Sequence, residues 1–207
     1  MTQTPQPKRA RCATCLRPQQ ACICGWIAPV ESAVELLVLQ HPLEVNNAKN
    51  SARLLCLSVA GSVLVAGETF DPDALLRMLH GGGRAPLLLY PATPGDASLG
   101  IAPPPAPAAE LLHDPVRLRL VVVDATWRKS RKMLYLNPLL QQLPRLALRD
   151  MPASTYRIRK AHAADQLSTL EAAAYALMQL NNDEAGLRPL LSAFDGFVSQ
   201  QAAFTHA

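Results

Sequence analysis

The segment Leu118 to Val123 reads Leu-Arg-Leu-Val-Val-Val and is the most strand-like stretch of the chain. An apolar run of this kind needs cover on both faces, which parallel strands find between layers of helix. Shorter apolar runs repeat the pattern at Glu35 to Leu39, Ser62 to Ala66, Leu87 to Tyr90 and Leu146 to Leu148. Between them lie stretches of helical spacing. Ala48 to Ala60 predicts a helix capped by Asn46 or Asn47. Asp71-Pro72-Asp73 opens a second, which runs to His80 and stops at Gly81-Gly82-Gly83. Lys129 to Leu140 predicts a helix interrupted near Asn137-Pro138, and Ser168 to Leu180 and Pro189 to about Ala203 predict two more. Strands alternating with helices give an α/β expectation: a mostly parallel sheet with helices on both faces. Pro91 to Pro115 holds seven prolines and is expected to be a long loop.

A length of 207 residues suits one domain with a small appendage. The expected organisation is a basic disordered tail over residues 1–11, a cysteine segment over 12–30 and the main domain over 31–207. No apolar run approaches the roughly 20 residues that span a bilayer. The start, Met1 to Arg11, is polar and basic with no secretory signal, so a soluble cytosolic protein is expected. The net charge of +4 hides a local imbalance, because Val116 to Lys160 holds eleven Lys and Arg against two acids, Asp124 and Asp150. A basic middle in an otherwise acidic chain suits a polyanion, or is a solvated surface whose charges cluster.

Four of the five cysteines, Cys12, Cys15, Cys22 and Cys24, lie within thirteen residues. Four thiolates this close can surround one tetrahedral zinc, leaving no open position, so the metal would be structural. Disulfides are the competing reading, disfavoured in a reducing compartment. Arg11, Arg17 and Trp26 flank the quartet and either meet the polyanion or stabilise the N-terminal segment. Cys56 stands alone in Leu54-Leu55-Cys56-Leu57 and reads as a buried core thiol.

Ligands of open parallel sheets sit beyond the carboxyl ends of the strands. Three such ends carry unusual residues here: Gln40-His41-Pro42-Leu43-Glu44, Tyr90-Pro91, and Asp124-Ala125-Thr126-Trp127 followed by Arg128-Lys129-Ser130-Arg131-Lys132. The plain alternative for the last is that Asp124 or Thr126 caps the next helix. Ser168-Thr169-Leu170-Glu171 has the spacing of a capping box, and its helix start would suit a carboxylate. Ser154 to Lys160 adds guanidinium groups for carboxylate or phosphate.

In this order the cysteine quartet, His41 to Glu44, Tyr90-Pro91, Asp124 to Trp127, Tyr156 to Arg159 and Leu167 to Ala172 resemble the DTW-domain family, over about Cys12 to Leu180. Asn50-Ser51 departs slightly from the Asn-Thr expected there and keeps the hydroxyl. The resemblance implies a bacterial-type tRNA-uridine aminocarboxypropyltransferase, which moves the 3-amino-3-carboxypropyl group of S-adenosylmethionine to the imino nitrogen of a uridine. It also implies a SPOUT-like sheet, for which a knotted cofactor pocket is an expectation that periodicity does not address. On this reading Asp124, Thr126 and Trp127 are the catalytic candidates, Asp124 either taking the imino proton or orienting the base. Tyr90, Pro91, Tyr156, Arg157, Arg159, Ser168, Thr169 and Glu171 would bind the cofactor. His41, Glu44, Arg128, Lys129, Arg131, Lys132 and Lys160 would meet the tRNA, and the four cysteines would hold structural zinc. No membrane and no protein partner are implied. An RNA base methyltransferase and a non-catalytic zinc-bearing RNA-binding module are the alternatives.

Overall fold

A computed structural model describes residues 10–91, 98, 103–148, 154 and 167–205. Its strands are β1 (Glu35–Gln40), β2 (Val63–Ala66), β3 (Ala85–Leu89), β4 (Leu118–Asp124) and β5 (Arg145–Leu146). All neighbours pair in parallel, in the order β2-β1-β4-β3-β5. β4 lies between β1 and β3, which accounts for its near-continuous apolar run. β2 is an edge strand, and its outer residues stay partly exposed.

The helices are α1 (Ala52–Ser58), α2 (Pro72–His80), α3 (Ala109–Leu112), α4 (Trp127–Leu136), α5 (Pro138–Gln141), α6 (Thr169–Asn181), α7 (Glu184–Leu187) and α8 (Pro189–Thr205). Alternate strand residues face opposite layers. Leu36, Val38, Leu120 and Val122 pack with α1, α6 and α8, whereas Leu37, Leu39, Leu88 and Val121 pack with α2, α4 and α5. Both faces are covered, as the sequence required. α2 matches its expected bounds because Asp71 Oδ1 accepts from Ala74 N–H at 2.9 Å and Gly82 and Gly83 take φ of 71° and 70°. The long helix breaks at Asn137, whose side chain accepts from Phe70 N–H and donates to the Glu68 and Met133 carbonyls.

α1 is shorter than the expected 48–60 helix. The carbonyls of Ala48 and Asn50 accept from the Arg17 guanidinium, and Asn50 Oδ1 takes the Ala52 N–H, so the chain turns before it can wind. Cys56 is half-buried rather than fully enclosed, and burial pushes its thiol up to about 12. The cysteine segment is not set apart from the rest. Cys15 and Ile23 belong to the same buried cluster as Phe194 and Phe197 of α8. Trp26 lies against Gly196, where an added Cβ would stand 2.2 Å from its ring. The path from β5 to α6, on which a knot would depend, falls largely outside the described residues.

Candidate functional site

Because β1, β4 and β3 are parallel neighbours, their carboxyl ends converge. Gln40 and Asp124 pair in register as the last residues of β1 and β4. Asp124 is 3 % exposed, and its carboxylate is a junction. Oδ2 accepts from Gln40 Nε2 at 2.9 Å and from Asn50 Nδ2 at 2.6 Å, while Oδ1 accepts from Thr169 Oγ1 at 2.6 Å. One side chain therefore joins two strand ends, the turn ahead of α1 and the start of α6. The capping alternative fails: Thr126 stands at the N-cap of α4, but no side chain closes that cap.

The capping box forms as the sequence suggested. Ser168 Oγ accepts from Glu171 N–H at 3.1 Å, and Glu171 Oε2 accepts from Ser168 N–H at 2.8 Å. Ser154 Oγ donates to the same carboxylate, and Leu170 N–H donates to Ser51 Oγ at 3.3 Å. Three N–H groups of this helix start are thus used within the protein, which narrows what a bound carboxylate can reach.

Tyr90 is buried behind the site. Its hydroxyl donates to Ser130 Oγ at 2.9 Å, which donates in turn to the Trp127 carbonyl at 3.0 Å. The Trp127 ring meets Tyr90 edge-on, with centroids 5.7 Å apart, and remains 47 % exposed. Arg145 lies over the Tyr90 ring at 5.3 Å, with Nη1 directed to the Pro91 carbonyl at 3.4 Å. A half-exposed indole braced from behind can stack on a flat ligand.

His41 and Glu44 are 5 % and 7 % exposed and bonded internally. His41 Nδ1 accepts from Leu43 N–H at 3.1 Å, which places the ring proton on Nε2, 3.0 Å from Glu68 Oε1. Glu44 holds Lys129 Nζ at 2.8 Å and Asn47 Nδ2 at 2.9 Å. Lys132 Nζ reaches Glu68 at 3.0 Å. The His41 hydrogen bond, then Lys132, holds the Glu68 carboxyl below its ordinary value. Contact of His41 or Glu44 with RNA would first require these bonds to break. Arg128 is exposed and Arg131 half-buried on α4. Tyr156, Arg157, Arg159 and Lys160 lie outside the described residues. Gln40, Asn50, Glu68, Ser130 and Arg145 were not singled out as site residues by the sequence. Gln40 and Asn50 did stand inside noticed motifs, whereas Glu68, in a polar loop, gave no signal.

The four cysteine sulfurs all lie within 4.8 Å of one another, Cys12 and Cys24 at 3.5 Å and Cys15 and Cys22 at 3.8 Å. All four are free thiols, spaced well beyond the disulfide bond length of about 2.05 Å. The spacings fit zinc, since a tetrahedron with Zn–S of about 2.3 Å has edges of roughly 3.8 Å. Backbone N–H groups of Cys15 and Thr14 lower the Cys12 thiol to about 6, while burial and then the neighbouring sulfurs push Cys24 up to about 12. Four thiolates cannot coexist here without a cation between them.

A covered parallel sheet, with polar groups gathered at three strand ends and a metal-competent knuckle docked on its last helix, makes this an α/β domain. The chain belongs to the DTW-domain family: the DTW domain model matches residues 9–202, cysteine quartet included. It is 32 % identical over 203 residues to tRNA-uridine aminocarboxypropyltransferase 2 of Macaca fascicularis, covering 90 % of this chain and 63 % of that protein. It is 30 % identical over 199 residues to the Mus musculus protein of the same name, covering 88 % and 62 %. The Drosophila melanogaster protein of that name is 29 % identical over 186 residues, covering 86 % and 69 %. This chain thus spans less than two thirds of the length of the first two relatives. No solved structure matches it significantly. Among the described residues, no helix is long and apolar enough to cross a membrane.

Proposed function

We propose that this chain is a tRNA-uridine aminocarboxypropyltransferase, working in the cytoplasm on tRNA with S-adenosylmethionine as co-substrate and structural zinc at Cys12, Cys15, Cys22 and Cys24. S-adenosylmethionine would supply the 3-amino-3-carboxypropyl arm on a sulfonium that leaves as neutral methylthioadenosine. The uridine imino nitrogen forms a bond to the arm's methylene, the C–S electron pair returns to sulfur, and the imino proton passes to solvent. The protein must decide which carbon faces the nucleophile, and it does so by orientation.

The observation that carries this reading is the Asp124 junction, which locks two strand ends to the start of α6 in a chain aligned along most of its length with relatives of that name. In this scheme Asp124 positions and does not take the proton, because three donors already occupy a carboxylate with about four lone-pair sites. Thr126, Trp127 and Pro91 line the ligand, and Tyr90 braces Trp127 from behind. Ser168, Thr169 and Glu171, with Tyr156, Arg157 and Arg159, order the arm and its carboxylate. Arg128, Arg131, Lys132 and Lys160 meet phosphates, while Lys129 braces Glu44. The test is to incubate purified protein with S-adenosylmethionine and unmodified tRNA and to analyse nucleosides by mass spectrometry. Uridine carrying the arm, with methylthioadenosine released, is expected. Methylated base with S-adenosylhomocysteine would make the protein a methyltransferase, and RNA binding without any cofactor turnover would make it a binding module.

A further inference from the structure

Arg17 lies between the second and third cysteines, and its backbone carbonyl accepts from Cys12 N–H at 2.8 Å. Its side chain leaves the cysteine segment. Nη1 donates to the Ala48 carbonyl and Nη2 to the Asn50 carbonyl, both at 2.6 Å. The guanidinium also lies 5.1 Å from the centre of the Phe197 ring on α8. Asn50 in turn donates from Nδ2 to Asp124 Oδ2 at 2.6 Å. Two lesser links run the same way: Arg53 Nη2 donates to the Thr14 carbonyl at 3.1 Å, and Arg11 reaches Asn46 Oδ1 at 3.4 Å.

We propose that Arg17 is a positioning residue of the transfer site, carrying the folded state of the cysteine quartet to Asn50 and, through Asn50, to Asp124. The physical reason is the planar fork of the guanidinium. Two of its N–H arms hold carbonyls two residues apart, which a point-charge ammonium does less well. The Phe197 ring restricts its rotation. Those carbonyls have no helical partner, because α1 begins only at Ala52. Asn50 therefore presents its amide to Asp124 from a turn held by a side chain of the metal knuckle. The quartet sets where Arg17 starts, and Phe197 sets the direction in which it points.

The cofactor readout of this proposal rests on the transferase reading, whereas its backbone readout does not. Zinc-loaded wild type, Arg17→Met, Asn50→Ala and the double variant are compared by metal content, hydrogen exchange and S-adenosylmethionine calorimetry. Arg17→Met should keep its zinc, raise exchange over residues 45–51 about tenfold and leave 118–124 unchanged. Its cofactor affinity should fall about tenfold, and adding it to Asn50→Ala should cost nothing further. Chelating zinc from wild type should raise exchange over the same residues. Unchanged exchange over 45–51 in Arg17→Met or after chelation, or losses that simply add in the double variant, would overturn the proposal. If Arg17→Met does not fold, Arg17→Lys decides: partial loss of protection over 45–51 supports the clamp, and wild-type protection sinks it. Wild type that binds no S-adenosylmethionine would refute the transferase reading alone, and the exchange experiment would still decide the role of Arg17.

Discussion

Replacing Asp124 with Asn and with Ala separates a positioning role from a proton-accepting one. In Asp124→Asn the amide oxygen can face Gln40 and Asn50, both donors, while its NH2 donates to Thr169 Oγ1, which turns from donor to acceptor. All three bonds survive without charge assistance. A charge-assisted hydrogen bond is worth about 1.5–3 kcal/mol and a neutral one about 0.5–1.5, so the loss is roughly 1 kcal/mol per bond. Asp124→Ala instead removes the acceptor shared by three donors. Gln40 is buried and keeps only its bond to Asn50 Oδ1, while Asn50 and Thr169 are half-buried. The cost is about 1–3 kcal/mol at the buried donor and less at the other two. That total, roughly 2–5 kcal/mol, is a large share of the ~5–15 kcal/mol that holds a typical domain together. The expected outcome is an Asn variant that binds S-adenosylmethionine and transfers the arm within about tenfold of wild type. The Ala variant should melt far lower and lose binding and transfer together. The assay is single-turnover transfer followed by mass spectrometry, with cofactor affinity measured alongside. A fall of kcat by about 10²–10⁴ in Asp124→Asn, with cofactor affinity kept, is the signature of a lost general base and would refute the positioning argument.

Other expectations follow from the same contacts. Gly196→Ala would ordinarily stabilise a helix interior by about 1 kcal/mol, but its Cβ would stand 2.2 Å from the Trp26 ring, and overpacking costs about 1–3 kcal/mol. A lower melting temperature is expected, and a higher one would show that the cysteine segment does not press on α8. Glu68 has a folded pKa depressed below its ordinary 4.5, so its stabilising contribution is present above that value and is lost as pH falls through the folded one. Glu68→Gln should flatten the acid limb of the stability profile below about pH 4.5, and an identical limb would show that His41 and Lys132 do not matter to it. Thiol titration after metal removal should give a fast Cys12, whose thiol is lowered to about 6, and slow Cys24 and Cys56, both pushed up to about 12. Five equally fast thiols would contradict that environment. Arg128→Ala should lower tRNA affinity and reduce the salt slope of binding by about 1, and an unchanged slope would take Arg128 off the phosphate path.

Much of the architecture was legible in the chain because its signals are local. The near-continuous apolar run before Asp124 demanded a strand covered on both sides. Asp71-Pro72 with the triple glycine bounded α2, Asn137-Pro138 broke the following helix, and Ser168 with Glu171 formed the capping box at four-residue range. The cysteine spacing disclosed a metal-competent quartet, and the order of motifs disclosed the family. The start of α1 was misplaced for a non-local reason: the carbonyls that would have begun the helix at Ala48 are taken by Arg17, some thirty residues earlier.

The amino-acid sequence thus determined the main strands and helices, a mostly parallel sheet, and which residues stand at the strand ends, but not the short helices α3, inside the proline-rich loop, and α7. Tertiary structure alone decided what Asp124 does there. Its three partners, Gln40, Asn50 and Thr169, lie 84, 74 and 45 residues away, and nothing in the local pattern of Asp-Ala-Thr-Trp names them. Periodicity reports which face of an element is apolar. It carries no information on which buried polar groups satisfy one another across the sheet, because that is set by strand order and register.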